Sequence, residues 1–521
     1  MTKLLHWVQA NYVMLVNAGS LVGTTVVTSG LGFAYWWVAA RWFAPEAVGV
    51  ASASISAMML LGTFCVLGLG TLLITELPRQ PERAGALVST ALLVVGGVGL
   101  LIGSAFALVA AHFSVQFQAL GDSGTDIVTF GGGVSLTAIT FVLDQALIGL
   151  LRGGLQLWRN TLFAIAKLVL LFVVSAWLAQ RMAVSISLTW SGANGISLVS
   201  LYVFFVVKSK GFGKNCMPQW QLLRSLGKAA FQHHLLNITL AFPALALPVL
   251  VTLLLSARMN AWFYVAWMLA SFVFLIPNAL TTVLHAMNSA QQATLAQKAR
   301  NTIMLSCIIS GLAISFLQLS APVLLAAFGG AYATQAATTL RILVIAAFAL
   351  TIKNHYISIC RIQDRIAQAL FAIVPGGILE LIAAVVGANY YGLEGLSIGW
   401  VAAVYIEAAC MFPLVYSSVW SSKASKEELF QDDAESEALW VLDTVPIAIV
   451  LPHTNYGKKS YSHFRSYYSN YGTKSLSQFR PQYLPKRHLR SPALKRPLRR
   501  YSFVPYSEFP ISGFARSRSM R

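Results

Sequence analysis

The chain has 521 residues, of which 57% are hydrophobic and only 11% are charged, and its mean hydropathy is +0.66. Soluble domains carry about 25% charged residues, so this composition excludes an ordinary soluble fold and indicates a polytopic membrane protein. The formal net charge of +19 comes mostly from the last seventy residues.

The N-terminal sequence MTKLLHW leads into a long apolar run without a small-residue cleavage site, and we interpret it as a retained first helix. A membrane-spanning helix needs about 20 mostly apolar residues. Windows of this kind predict twelve spans, at 14–40, 47–75, 85–111, 128–151, 161–180, 185–207, 229–255, 260–286, 302–327, 338–359, 368–388 and 394–419.

The orientation follows from the distribution of Lys and Arg. If the N-terminus is cytoplasmic, the inner turns hold fourteen basic residues: Lys3, Arg79, Arg83, Arg152, Arg159, Lys208, Lys210, Lys214, Arg224, Lys228, Lys298, Arg300, Arg361 and Arg365. The outer turns hold four: Arg41, Arg181, Arg258 and Arg341. Because cytoplasmic loops are enriched in Lys and Arg, we expect both termini on the cytoplasmic side of a bacterial-type inner membrane.

An internal repeat divides the spans into two halves. The stretch FVLDQALIGLLR (141–152) corresponds to LTIKNHYISICR (350–361), and each is followed by LFAI, first at Leu162 and again at Leu370. The offset is close to half of the membrane part, which predicts a parallel duplication. We therefore expect an all-α integral membrane fold, with two six-helix halves at 1–210 and 211–420 around a central cleft.

Five charges lie deep inside predicted spans: Asp144, Lys167, Lys353, Glu380 and Glu407. A charge near the bilayer centre costs about 2.5–3.5 kcal/mol on insertion scales, so it usually faces protein or water. Either a role in a cavity or a structural ion pair would explain each of them. For Asp144 and Lys167, an expected turn at about 152–160 puts both side chains at one depth and predicts an ion pair between them.

Several prolines interrupt the apolar runs of the second half, and they are candidate kinks for alternating access: Pro243, Pro248, Pro277 and Pro375. Proline removes a backbone donor and bends a helix. Proline is also common in membrane helices without any such role.

No cofactor or metal site is expected. The five cysteines are scattered, at Cys65, Cys216, Cys307, Cys360 and Cys410, without a CxxC pair or a His/Cys cluster. This spacing favours neither a metal site nor a disulfide framework.

Three stretches resemble Wzx-type flippases of the multidrug/oligosaccharidyl-lipid/polysaccharide (MOP) exporter superfamily. The first is AARWFAPEAVGVASASISAMMLLGTFCVLGLGTLLITELPR (39–79), with Pro-Glu-x-x-Gly after the first helix and a later Gly-Leu-Gly. The second is PVLLAAFGGAYATQAATTLRIL (322–343), with Phe-Gly-x-x-Tyr-x-x-Ala, and the third is YGLEGLSIGWVAAVYIEA (391–408). The resemblance covers about residues 10–420.

This resemblance implies a transporter that flips an isoprenoid-diphosphate-linked oligosaccharide to the outer leaflet for cell-surface polysaccharide biosynthesis. The diphosphate needs cationic partners, for which the candidates are Lys167, Lys353, Arg152 and Arg361. A coupling proton or sodium ion would bind Glu380 or Glu407, although these acids could equally bind sugar hydroxyls. The expected partners are the lipid-linked oligosaccharide, membrane lipids and a polysaccharide polymerase or glycosyltransferase, with the transporter as a monomer.

Two other functions remain open. A multidrug antiporter of the same superfamily would bind organic cations, and an acidic, aromatic cavity would favour it. A polytopic enzyme of polysaccharide assembly is disfavoured because the external loops are very short.

The C-terminal segment, 421–521, differs from the rest in composition. From His453 to Arg521 it contains fifteen Lys and Arg residues and one acid, Glu508. Such a composition cannot bury a core and predicts disorder. Basic segments are attracted to anionic lipid headgroups, so membrane-surface binding or an inert tail explains it better than specific binding to nucleic acid.

The charge bias predicts a topology that reporter fusions can measure. Fusions after residues 118 and 333 should report an external position, and fusions after residues 215 and 425 a cytoplasmic one. An external position at 425 would contradict both the number of spans and the cytoplasmic tail.

Overall fold

The computed structural model describes residues 12–177, 182–208, 217–218, 220, 228–288 and 295–420, and in this part of the chain it is helical without strands. The expected start of the first helix and the predicted disordered tail, 421–521, lie outside the described residues. Twelve long helical segments, here α1 to α12, make up the bundle. The end where α1 ends is called the predicted outer end, and the end where α4 meets α5 the predicted inner end.

The first six helices follow one another with short connections. They are α1 (Tyr12–Trp42), α2 (Pro45–Cys65), α3 (Ala84–Phe113), α4 (Gly124–Gly149), α5 (Gly153–Trp177) and α6 (Met182–Lys208). A short helix, Leu69–Glu76, and two 3-10 turns, Pro81–Arg83 and Val115–Leu120, lie in the connections.

The last six helices begin at Lys228. They are α7 (Lys228–Leu254), α8 (Ala257–Asn288), α9 (Leu295–Ala326), α10 (Ala337–Ile362), α11 (366–390) and α12 (393–420). A short helix, Gly330–Gln335, precedes α10, which itself consists of two segments that meet at Ile345.

Eleven of the described helices are long and apolar enough to cross a membrane. The last of these, Ile366–Trp420, has 55 residues, or about 80 Å at 1.5 Å per residue, which is more than twice the ~30 Å thickness of a bilayer's hydrocarbon core. Non-helical angles at Tyr391 and Gly392 divide it into α11 and α12. The division yields twelve spanning segments, and it falls between the two spans predicted from hydropathy.

Three predicted boundaries are wrong by seven residues or more, and one of them is the start of the ninth span, which is Leu295 and not 302. The predicted second span, 47–75, is broken after Cys65, because Leu67 and Gly68 both have positive φ angles, of 52° and 79°. The predicted fifth span, 161–180, begins earlier, at Gly153. The polar stretch 153–160 therefore forms the first two turns of α5 and is not part of a long turn.

Glycines allow α11 and α12 to pack as a close antiparallel hairpin. A Cβ atom added at Gly387 would overlap the carbonyl oxygen of Gly395, and one added at Gly399 would overlap the carbonyl oxygen of Ala383. Small residues of this kind let membrane helices approach to backbone contact. Gly392, with φ of 57°, supplies the turn conformation that other residues rarely adopt.

The two sets of six helices meet mainly through α2, which contacts α7 and α8. Within the first set, α3 packs on α4 and α5 packs on α1 and α6; within the second, α10 packs on α8 and α11–α12 on α7 and α10. Elsewhere the bundle exposes large apolar side chains, including Leu101 on α3 and Leu319 on α9, which are 72% and 84% exposed. Lipid is the solvent that such surfaces fit. The duplication of the two halves stays a prediction.

The α11–α12 hairpin can be tested with glycine substitutions. Gly387→Ala and Gly399→Ala should each destabilise the protein by about 1–3 kcal/mol, because the new methyl group has no space. Thermal unfolding of the purified chain in detergent would measure this. Gly97→Ala is the matched control, since Gly97 is exposed in a helix and has no atom within 4 Å of its added Cβ. Unchanged stability in all three variants would contradict the close packing.

Candidate functional site

Three of the deep charges meet in one buried cluster, here called the ion cluster: Lys353 of α10, Glu380 of α11 and Glu407 of α12. The Lys353 Nζ lies 2.5 Å from Glu380 Oε1 and 2.6 Å from Glu407 Oε2. All three side chains are buried, with at most 7% exposure. The sequence placed these charges deep in separate spans, and the structure brings them together.

Two further residues shape the ion cluster. The Trp400 Nε1 donates a 2.6 Å hydrogen bond to Glu380 Oε2, so both oxygens of that carboxylate are satisfied. Glu407 Oε1 has no hydrogen-bond partner among the described residues. Gly376 gives Glu407 its space, because a Cβ at that position would overlap the Glu407 carboxyl carbon. With all groups ionised, the cluster carries one positive and two negative charges.

Asp144 does not pair with Lys167, so that prediction is wrong. Its carboxylate accepts two hydrogen bonds from Arg159, at 3.0 Å from Nε and 2.6 Å from Nη2, and a third from the amide of Asn160. The reason is the early start of α5. With the turn at 150–152, Asp144 and Arg159 lie at similar depth, whereas Lys167 is eight residues further along, or about 12 Å deeper.

Lys167 lies in a cage of aromatic rings. Its Nζ is 4.7 Å from the ring centroid of Trp190, 5.1 Å from that of Phe163 and 5.2 Å from that of Tyr35. The side chain is buried, at 4% exposure, and has no ion pair within the described residues. The faces of aromatic rings attract cations, so the rings replace the carboxylate that the sequence suggested.

The two turn arginines have different surroundings. Arg152 is exposed at the start of α5 and packs over the ring of Phe205, 5.6 Å from its centroid. Arg361, in the last turn of α10, donates a 3.0 Å hydrogen bond to Asn237 Oδ1. The structure therefore keeps both away from the ion cluster.

The predicted kink residues lie inside helices that continue past them: Pro243 and Pro248 in α7, Pro277 in α8 and Pro375 in α11. Threonines one turn later donate to the carbonyl groups of Pro248 and Pro277, at 3.0 and 2.9 Å. A flexing role for these prolines stays a prediction. Pro322 in α9 and Pro413 in α12, which are not among the predicted kink residues, also lie inside helices.

At the predicted outer end, α2 and α8 are in backbone contact. The Asn260 Nδ2 donates to the carbonyl oxygen of Gly49, at 2.8 Å, and to Ser52 Oγ, at 3.0 Å. A Cβ atom at Gly49 would overlap the carbonyl group of Ala257. The sequence contained the glycine but no signal of its contact, which joins residues about 210 positions apart.

Further contacts close the same end. Arg258 forms an ion pair with Glu46, and the side chains of Trp37 and Arg41 both donate to the carbonyl oxygen of Ala327, at 2.9 and 2.7 Å. These contacts join helices of the first six to helices of the last six. The predicted outer end of the bundle is therefore closed.

Toward the predicted inner end the same face of α8 is open. Asn278 follows Asn260 by five helical turns, so both lie near one face of the helix. Asn260 is fully buried, whereas Asn278 and Thr282 are exposed. Exposed amide and hydroxyl groups do not suit lipid, which indicates that this part of α8 borders a water-filled space.

Sequence reasoning missed Arg159, Trp400, Gly376 and Asn260. Arg159 was counted among turn residues, and only a correct start for α5 would have moved it into the span. Trp400 and Gly376 carry no sequence signal, because aromatic and small residues are common throughout this chain. In the described residues no three His, Cys, Asp or Glu side chains group as a metal site would require.

No protein-family model matches the sequence, and no curated protein matches it. Among solved structures, it is similar to an inward-facing conformation of a multidrug resistance MATE family transporter of the MOP superfamily. The TM-score is 0.59 at 15% sequence identity, over 77% of this chain and 95% of that chain. An outward-facing conformation of a multidrug resistance MATE family transporter gives 0.54 at 14% identity, over 78% and 96%.

A crystal structure of MATE in the straight conformation gives a TM-score of 0.53 at 14% identity, over 80% of this chain and 96% of that chain. At these identities the likeness establishes the fold. The chain is a multi-pass membrane protein with the fold of MATE transporters. The likeness is to MATE transporters and shows the fold alone, so membership in the MOP superfamily and in the Wzx-type flippases stays a prediction.

The pairing of Asp144 predicts the outcome of substitutions. Arg159→Ala should destabilise the protein by about 3–5 kcal/mol, because it leaves a carboxylate without its charge partner. The exchange of Asp144→Arg with Arg159→Asp should restore much of that loss, and Lys167→Met should cost little. Thermal unfolding in detergent is the measurement.

Arg79→Ala is the control, since the Arg79 side chain is 73% exposed in its pair with Glu76. If Lys167→Met and Arg159→Ala destabilise equally, or if the exchange restores nothing, the assignment of Arg159 as the partner of Asp144 is wrong.

Proposed function

We propose that this protein is a cation-coupled transporter that works by alternating access, with export of organic cations in the manner of a multidrug antiporter as its function. The fold supports this, because structures that share it include both inward-facing and outward-facing multidrug transporters. We also propose that the protein is a monomer, that it lies in a bacterial-type inner membrane and that both of its termini are cytoplasmic.

The ion cluster is the observation that carries the proposal. One lysine between two glutamates leaves one negative charge without a partner, and Glu407 Oε1 is free to accept a proton or a small cation. Two carboxylates close together favour uptake of such a cation, because both cannot remain ionised at little cost in a buried site. The cluster is therefore the coupling site in this proposal.

A path connects the ion cluster to α8. Trp400, which binds Glu380, contacts the rings of Trp267 and Phe274, with centroid distances of 4.8 and 5.9 Å. Helix α8 also carries Asn260, which binds α2. Binding of a cation to the cluster would thus change the packing of Trp400 against α8. Because α8 also contacts α2 at the predicted outer end, cation binding could control that contact, as ion-coupled alternating access requires.

A specific observation favours a second candidate, the flipping of a lipid-linked oligosaccharide. Apart from the excess carboxylate of the ion cluster, the charges without an ion pair that the described residues place inside the bundle or at its inner edge include three cations, Lys167, Arg300 and Arg361. A diphosphate would suit them better than an organic cation would. Lipid-linked saccharide is then the substrate, and a glycosyltransferase or polymerase would act before or after the transporter.

The two candidates can be separated in proteoliposomes that contain the full chain. We expect a pH or sodium gradient to drive uptake of a fluorescent organic cation. Glu407→Gln should keep the fold but reduce the ion dependence at least tenfold, because the amide cannot take up the coupling cation. Glu82→Gln is the matched control, since Glu82 is exposed in a connection.

Movement of a labelled isoprenoid-diphosphate saccharide, without transport of the dye, would replace the antiporter by the second candidate. Unchanged ion dependence in Glu407→Gln would remove the ion cluster from the coupling role. Absence of gradient-driven transport of either substrate by correctly folded protein would overturn the proposal as a whole.

A further inference from the structure

A polar cavity of about 170 Å³ lies between α7, α8 and α10, apart from the ion cluster. Its polar lining consists of Asn278, Thr281, Thr282, Asn354, Ser358 and Arg361. Another cavity of about 170 Å³, next to Phe242, has only apolar lining residues, as a lipid-facing gap would. Polar linings are expensive within a membrane and mark binding sites or pathways.

The guanidinium of Arg361 has a hydrogen-bond donor that the described residues do not satisfy. Its Nη2 binds Asn237, but its Nε is buried without a hydrogen-bond partner. Within the described residues it has no ion pair. Arg361 as a whole is half-buried, so its charge is only partly solvated, and no carboxylate of the described residues neutralises it. An anion from outside the chain would therefore stabilise this group.

Two amides can add further donors. The side chains of Asn278 and Asn354 line the cavity and make no hydrogen bond within the described residues. The hydroxyl groups of Thr281, Thr282 and Ser358 already donate to backbone carbonyl groups. The donors left for a ligand are thus one guanidinium and two amide groups, without any lining carboxylate. This set suits an anion that has several oxygen atoms.

The position of the cavity narrows the choice of anion. Arg361 is in the last turn of α10 at the predicted inner end, and Ser358 and Asn354 lie one and two turns deeper. The cavity therefore extends from the level of the lipid headgroups into the bundle. Its volume corresponds to roughly five or six water molecules, enough for a compact oxygen-rich group.

We propose that this cavity, here called the Arg361 pocket, binds the phosphate or diphosphate of a membrane-embedded lipid. Arg361 is the anchoring charge, and the amides of Asn278 and Asn354 orient the phosphate oxygens. The proposal does not depend on which substrate the transporter moves. The phosphate comes either from an anionic phospholipid or from an isoprenoid diphosphate, which share this chemistry.

The test measures the thermal unfolding temperature of the purified full chain during titration with three probes. They are phosphatidylglycerol, farnesyl diphosphate and, as a zwitterionic reference, phosphatidylcholine. At least one anionic probe should stabilise the protein at concentrations tenfold or more below those at which phosphatidylcholine acts. A preference for farnesyl diphosphate over phosphatidylglycerol identifies the diphosphate source, and the reverse identifies the phospholipid.

Variants assign that binding to the Arg361 pocket. Arg361→Gln should weaken binding of the preferred probe at least tenfold, while Arg365→Gln, an exposed arginine four residues later, should leave it unchanged. Asn354→Leu fills the pocket without touching the arginine and should have the same effect as Arg361→Gln. Equal binding of all three probes, or wild-type binding by both Arg361→Gln and Asn354→Leu, would overturn the proposal.

Discussion

Each charge that this bundle buries must be stabilised within an apolar surrounding by ion pairs, hydrogen bonds or aromatic rings, and that constraint organises much of the structure. Asp144 is held by Arg159 across the α4–α5 turn, and Lys353 joins α10 to both α11 and α12. Lys167 uses aromatic rings of α1, α5 and α6 in place of an acid. These three solutions are not equivalent. The Asp144 pair is balanced, the Lys353 cluster has one acid in excess, and Lys167 has no acid at all.

At a site with an excess of one charge, a change of protonation or the binding of an ion costs little free energy. When either partner of a balanced pair gains or loses a proton, the pair loses its electrostatic stabilisation. A carboxylate in excess is instead stabilised when it takes up a cation. The excess charge lies where α10, α11 and α12 meet, and Trp400 connects it to α8. The ion cluster, which has an excess charge, thus lies beside α8, the helix that contacts α2. The balanced Asp144–Arg159 pair lies in the α4–α5 hairpin, away from that contact.

Much of the fold could be predicted from hydropathy, because a lipid core demands long apolar helices whatever their packing. The division between α11 and α12 was placed correctly for this reason. The pairing of side chains could not be predicted, since hydropathy does not fix where a helix starts or how it is rotated. An error of eight residues at the start of α5 moved Lys167 to the depth of Asp144 and left Arg159 in a turn. Glu380 and Glu407 were identified as deep acids, but their shared partner depends on Gly376 and on the close α11–α12 hairpin.

The same small residues that permit close packing also determine which contacts can separate. Between α11 and α12, glycines allow backbone contact within one continuous hairpin, which a short turn at Gly392 holds together. Between α2 and α8, Gly49 allows a comparably close approach, but the two helices belong to different sets of six and no turn joins them. The ion pair of Arg258 lies at the exposed edge of that contact and the hydrogen bonds of Asn260 are buried inside it, and water can replace each partner once the helices part. Polar contacts of this kind stabilise a closed end without making it permanent, whereas the α11–α12 contact would lose packing with nothing to replace it. In the proposed alternating access, the two sets of helices would therefore separate at α2–α8, with the α11–α12 hairpin moving as a unit.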